Sequence, residues 1–263
     1  MYPVLFRAGP FTVYSYGFLI AIGALAGVAY LYYRGRKEVG LTYEQVNNLF
    51  LLLFAAAFIG GKLLLFFEGP SYYLRNPGKL VTGSGFVFYG SFLLAVPAML
   101  WFFRKNKLPV YPMLDIMAGV TCLVHAFGRL GCFMAGCCYG KPTTLILGVT
   151  FTNPSCQARP LNTPLFPTQL AEALYIAGVF VVLQLVLRHR TFYGQLFLIY
   201  LVLYAAGRFA LEYFRGDAGR GFIIEGYLSH AQLIAMLFAA AALYLYPRWK
   251  KRNAITSIKR PRV

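Results

Sequence analysis

Histidine, arginine and cysteine crowd together in HAFGRLGCFMAGCCYGKPT, residues 125–143. On a helix, His125, Arg129 and Cys132 fall on one stripe at i, i+4 and i+7, and Tyr204, Arg208, Glu212 and Arg215 fall on another. A guanidinium is a planar fork of donors that matches phosphate, and histidine suits proton removal near neutral pH. Cys132, on the arginine face, is either a nucleophile or a small helix residue. The chemistry on offer is therefore anion binding beside a proton acceptor and a thiol, and all of it sits in apolar sequence.

The elements that must hold these residues are membrane helices. Of 263 residues, 59% are hydrophobic and only 13% charged, too few to give a soluble domain of this length its polar skin. Recurrent apolar runs have the roughly 20 residues a helix needs to cross about 30 Å of hydrocarbon. The fold class is all-α, a polytopic integral membrane protein of about seven transmembrane helices, with spans at 12–33, 46–68, 85–103, 110–136, 169–187, 192–214 and 228–247. The 24 Phe and 20 Tyr fit lipid-facing packing and interfacial belts. The start, MYPVLFRAGP, has no basic segment before an apolar stretch, so the first run is expected to be retained rather than cleaved.

A net charge of +17 would suggest nucleic acid in a soluble protein; here its distribution sets topology, and no nucleic-acid partner is expected. Connectors 34–45, 104–109 and 188–191, with the tail from 248, hold fifteen cations against seven in the N-terminus and the other connectors. Every second connector is the rich one. The positive-inside rule then puts the N-terminus outside and the C-terminus in the cytoplasm, where the tail can attract anionic lipid. The chain divides into one transmembrane domain, 1–247, and a basic cytoplasmic tail, 248–263. The longest outer connector, 137–168, is too rich in Pro and Asn to be a span and is expected to form a small extracytoplasmic cap.

With that topology, Lys62, Arg129 and Arg208 lie six or seven residues from the outer ends of their spans, roughly 9–11 Å below the boundary at a 1.5 Å rise per residue. Tyr16 and Tyr89 lie near the same level, and Gln169, Glu172 and His230 open the fifth and seventh spans there. Long cations near helix ends can snorkel to headgroups, which accounts for Lys62 alone but less well for the shared faces. Intramembrane ionisable groups mark functional sites. These cations outnumber the one nearby Glu212, so the ligand is expected to be anionic: a phospholipid headgroup drawn slightly inward. Gly128, Gly131, Gly136 and Gly140 permit close approach of helices or of ligand. FIGGK, AFGR and AAGR, ending at Lys62, Arg129 and Arg208, hint weakly at a repeat.

Of the five cysteines, Cys137, Cys138 and Cys156 lie on the outer side, where disulfides form, and Cys156 could pair with either of the others. A metal site of His125 with these cysteines lacks a recognised ligand spacing; no metal and no cofactor is expected. Asp115, near the inner end of its span, is expected to cap or pair there, and His230 to touch cap or headgroup.

The pieces VLFRAGPFTVYSYG, GGK, GFVFYG, GRLGCFMAGCCYG, FPTQLAE and YAAGRFALEYFRGD, in this order and spacing, give a chain that resembles the bacterial prolipoprotein diacylglyceryl transferase family along nearly its whole length. The resemblance implies a seven-helix inner-membrane transferase that moves the diacylglyceryl group of phosphatidylglycerol onto the lipobox cysteine thiol of a preprolipoprotein, forming a thioether and releasing glycerol phosphate. Tyr16, Arg129, Gly140, Tyr204, Arg208 and Glu212 match positions the family uses for catalysis or headgroup binding. The chain departs at three places. Tyr89-Gly90-Ser91 stands where the family usually has His-Gly-Gly, Cys132 where it has Asn, and Cys137 where it has Glu.

For such a reaction a thiol must ionise and a phosphate must leave. Arg129 and Arg208 suit the leaving phosphate, and Glu212 orients Arg208. Two readings of His125 stay open: a base replacing the family's missing histidine, or a buried, hydrogen-bonded histidine. Tyr89 suits headgroup binding better than proton removal. The expected catalytic residues are Arg208, Arg129, His125, Tyr89 and Tyr16; substrate binding adds Glu212, Tyr204, Gly140, Gly90, Lys62, Gln169 and Glu172. The alternatives are a divergent relative that binds or moves anionic lipid, and transfer to a different thiol acceptor.

Overall fold

The computed structural model describes residues 1–9, 11–82, 86–217, 221–224 and 227–255. Arg220, Gly85 at the start of the third expected span, and Lys259, Arg260 and Arg262 of the basic tail lie outside the described residues. Among those described, six helices are long and apolar enough to cross a membrane: α1 (Ser15–Val39), α2 (Tyr43–Glu68), α6 (Val110–Ala135), α7 (Thr168–His189), α8 (Gln195–Glu212) and α9 (His230–Arg252). The seventh rod of the sequence reading is α5 (Phe88–Lys105), whose 18 residues include Arg104, Lys105 and Pro97.

Several boundaries differ from the hydropathy reading, each for a local reason. The first span starts late because the chain opens with an antiparallel hairpin, β1 (Val4–Ala8) with β2 (Phe11–Tyr14). It also runs on to Val39, since Arg34 and Glu38 pair at i, i+4. Helix α2 starts at a capping box in which Thr42 and Gln45 satisfy each other's backbone N–H groups. Ser229 and Gln232 do the same for α9, which continues through Pro247 to Arg252 where hydropathy had ended. The connector between α2 and α5 folds into two single-turn helices, α3 (Pro70–Arg75) and α4 (Pro77–Thr82).

Packing divides the described chain into two compact units, Leu31–Met113 and the remainder. In the first, α2 and α5 cross at small residues. A Cβ on Gly60 would strike the carbonyl of Gly90 and one on Gly90 that of Gly60, and the Ser91 hydroxyl donates to Ala57 O at 2.8 Å. Small residues let two backbones approach in lipid, where the hydrophobic effect does not drive helices together.

In the other unit, α6, α7 and α8 bury Cys122, Ile176, Leu183 and Tyr200 against one another. Asp115 joins α6 to the start of α8: its carboxylate accepts from the N–H groups of Gly194 at 2.8 Å and Phe197 at 3.0 Å, with Arg190 at 3.8 Å. It both caps and pairs, as expected. Helix α6 stops at Gly136, whose φ of +75° is open to glycine. There the cap begins. It contains the two-residue strands β3 (Val149–Thr150) and β4 (Pro164–Leu165) and its own core of Phe151, Cys156, Ala158 and Leu165. A third hairpin, β5 (Phe222–Ile224) with β6 (Leu228–Ser229), precedes α9; His230 there lies against Gly221.

Candidate active site

Arg129, nearly two turns before the end of α6, reaches across to α7. Its Nη2 lies 2.9 Å from Glu172 Oε1 and its Nε 3.2 Å from His125 Nε2. The same histidine nitrogen is 3.1 Å from Glu172 Oε1. All three are largely buried, Glu172 at 5% exposure. One nitrogen cannot accept from Arg129 and donate to Glu172 at once. The two contacts therefore stand for two tautomers of His125, and only the one with hydrogen on Nε2 leaves Nδ1 basic. The imidazole also lies beside Tyr204, ring centroids 5.7 Å apart.

On α8, Arg208 Nη2 meets Glu212 Oε2 at 2.9 Å, and Arg208 is among the charges that face Glu172. The two arginines named from the sequence thus each hold a carboxylate, Arg129 that of Glu172 and Arg208 that of Glu212. Just past α8, Arg215 Nε is 2.9 Å from Asp217 Oδ1. This alters the charge argument. The sequence set several cations against Glu212 alone, whereas Arg129, Arg208 and Arg215 each have a carboxylate partner. Glu172 lies on a different helix, and no local spacing pairs it with Arg129. What the site keeps for a ligand is directional: among the described residues, Arg208 Nη1 is buried with no hydrogen-bond partner, a donor that is costly to leave unmade.

The rim of the site is built by the cap. Thr168 Oγ1 donates to Cys138 O at 2.6 Å and Gln169 Nε2 to Cys137 O at 2.8 Å. Gln169 Oε1 is buried without a partner. Gly140 is clamped between backbones: its N–H donates to Phe166 O at 3.0 Å, it bridges to Arg215, and a Cβ there would strike the carbonyls of Phe166 and Phe214. The Tyr16 ring lies over Gly131 of α6. Tyr16, His125, Arg129, Gly140, Gln169, Glu172, Tyr204, Arg208 and Glu212 thus belong to one unit.

Lys62, Tyr89 and Gly90 belong to the Leu31–Met113 unit. Lys62 Nζ stands 5.9 Å from the Phe58 ring centre at an apolar cleft with Ile59 and Leu80. Tyr89 is half-exposed at the start of α5, and Gly90 is the α2 crossing point. A second apolar cleft, between Leu198 and Tyr246, holds no charged group.

The cysteines form no disulfide; all five are free. Cys156 lies in the cap core. The sulfurs of Cys132, Cys137 and Cys138 lie within 4.8 Å of one another, and His125 is not among them. Hydrogen bonds from the Cys132 and Cys137 thiols, with the guanidinium groups of Arg129 and Arg215, hold the Cys138 thiol well below the usual range.

A multi-pass membrane protein with buried, carboxylate-paired arginines on neighbouring helices is the class this arrangement defines. The chain matches the prolipoprotein diacylglyceryl transferase family over residues 3–247 and belongs to it. It is 34% identical over 247 residues to the phosphatidylglycerol–prolipoprotein diacylglyceryl transferase of Clostridium tetani, covering 94% of this chain and 97% of the relative. The protein of that name from Dehalococcoides mccartyi is 29% identical over 256 residues, covering 96% of each. The one from Geobacter sulfurreducens is 31% identical over 240 residues, covering 89% of each.

Proposed function

We propose that this chain transfers the diacylglyceryl group of phosphatidylglycerol to the lipobox cysteine thiol of a prolipoprotein. Sulfur attacks the glyceryl carbon that carries the phosphoester, the carbon–oxygen bond breaks, and glycerol phosphate departs with the electron pair. The thiol proton goes to a base. The observation that carries this reading is the unpartnered Arg208 Nη1, in a family whose named members perform this transfer.

Negative charge grows on the departing phosphate as the bond breaks. A donor already fixed in a dry site stabilises that charge without reorganising. Arg208 is held through its other nitrogen by Glu212, which leaves Nη1 for a phosphate oxygen. Arg129, anchored by Glu172, supplies the second positive centre. His125 is the base: Glu172 takes the Nε2 hydrogen and fixes the tautomer, and Nδ1 accepts the proton. Tyr16 and Tyr204 wall the headgroup; Gln169 and Gly140 set the rim. The site faces the outer leaflet of the bacterial inner membrane, with the N-terminus outside, as the alternating connector charges indicate.

The test uses purified protein in phosphatidylglycerol nanodiscs with a synthetic lipobox peptide, followed by mass spectrometry. A diacylglyceryl adduct on the peptide cysteine, absent with Arg208→Ala, is expected. Glycerol phosphate release without a peptide adduct would replace the acceptor with another thiol. Bound lipid with neither product would make the chain a lipid-binding or transport protein.

A further inference from the structure

Three thiols converge where α6 meets the cap, and the proposed transfer uses none of them. Their spacing in sequence, Cys132 followed by Cys137 and Cys138, matches no familiar ligand motif. The turn at Gly136 brings them together. Gly136 and Cys138 both adopt left-handed backbone, at φ +75° and +58°. For a non-glycine residue that conformation is disfavoured and needs its surroundings to hold it. They do so here: Thr168 grips the Cys138 carbonyl, Gln169 grips that of Cys137, and the Gln157 N–H donates to Ala135 O at 3.0 Å. The sulfurs end within 4.8 Å of one another, Cys132 buried and the other two partly open. The charges of Arg129 and Arg215 act on Cys138.

We propose that Cys132, Cys137 and Cys138 form a three-thiolate site for a soft d10 metal ion, Zn(II) or Cu(I). Thiolates select these ions. Around a tetrahedral centre with metal–sulfur bonds of about 2.3 Å the sulfurs stand about 3.8 Å apart, so no pair needs to close by more than about 1 Å, within reach of side-chain rotation. Binding releases the thiol protons to solvent. Three sulfurs complete a trigonal Cu(I) site; Zn(II) takes a fourth ligand from the open side. The site does not depend on the transferase reading.

The full-length chain, reduced in detergent, is titrated with Cd(II), an optical stand-in for Zn(II). One thiolate-to-metal charge-transfer band saturating at one equivalent is expected, displaced by Zn(II) or by Cu(I) according to which ion the site prefers. Cys132→Ser, Cys137→Ser and Cys138→Ser each weaken binding at least tenfold; Cys122→Ser and Cys156→Ser leave it unchanged. As a check without substitution, Cd(II) protects the peptides carrying Cys132, Cys137 and Cys138 from iodoacetamide in the native chain. Alkylation of those three at an unchanged rate, or a band that survives their joint replacement by serine, overturns the site.

Discussion

The carboxylate of Glu172 on α7 holds the guanidinium of Arg129 on α6 at 2.9 Å, and the same oxygen lies 3.1 Å from His125 Nε2. Glu172 is thus the hub of the site rather than a peripheral contact. In Glu172→Gln the carboxamide keeps the shape and loses the charge. Removing one partner of a buried pair costs about 3–5 kcal/mol, read as lowered thermal stability in detergent. Transfer should fall roughly 100-fold in kcat/KM, about 2.7 kcal/mol of transition-state stabilisation. Wild-type rates in this variant would remove Glu172 from the machinery.

Arg208 is predicted to act through geometry as well as charge. Lysine keeps the charge but cannot hold Glu212 with one nitrogen and offer a second, fixed donor to phosphate. Arg208→Lys should therefore cut kcat roughly 100- to 1,000-fold, the usual cost of one preorganised donor, with a smaller change in KM. Equal activity in the two proteins would leave Arg208 only an electrostatic role.

The local parts of this site were readable from the chain. Helical spacing placed His125 one turn from Arg129 and Glu212 one turn from Arg208, and recurrent apolar runs located the helices. Three things depended on packing between distant segments. Glu172 is paired with Arg129 only because α7 lies against α6, which turns an apparent cation surplus into matched pairs. The three sulfurs meet only because Gly136 turns the chain. Gly90 entered as a position matched to a family motif and Gly140 also as one of four glycines that permit close approach, and only coordinates reveal the backbones that each lets through. Helix ends behaved similarly: hydropathy found the apolar stretches, but Thr42, Ser229 and the β1–β2 hairpin decided where helices begin.

Asp115 should be a stability residue with no part in transfer. It accepts from two N–H groups at the start of α8, and its side chain is buried beside Arg190. Asp115→Ala removes a cap worth about 0.5–2 kcal/mol and leaves a buried cation with less compensation. A lowered melting temperature with near-normal activity of the surviving folded protein is expected. A selective loss of kcat at unchanged stability would place Asp115 in the reaction.

His125, if it is the base, must act on rate rather than on folding. Glu172, Arg129 and Tyr204 lie around its ring, and a structural histidine held by them would contribute mainly to folding. His125→Gln can still hydrogen-bond but cannot take the thiol proton, so its kcat/KM should be lower by roughly 100-fold or more, the usual range for general base catalysis, at near-normal thermal stability. A wild-type rate in a folded variant would assign His125 to packing.

Two glycines of the same stretch separate packing from helix propensity. Gly128 has open space where a Cβ would be, and alanine is favoured over glycine inside a helix by about 1 kcal/mol. Gly128→Ala should keep activity and raise stability slightly. Gly140 is different, because its N–H and the N–H groups of Lys141 and Gly216 knit three backbone segments together, and an added Cβ would meet Phe214 O at 2.9 Å as well as the Phe166 carbonyl. Those carbonyls cannot rotate away like a side chain, so the segments must part, at a cost of about 1–3 kcal/mol. Parting them moves Thr168 and Gln169, which position the Cys137–Cys138 turn and the start of α7, and Glu172 is one turn further along that helix. Gly140→Ala should therefore lower both cap stability, seen as faster proteolysis within 137–168, and transfer rate. Loss of rate with an intact, protease-resistant cap would instead mean that ligand, rather than backbone, needs the space at Gly140.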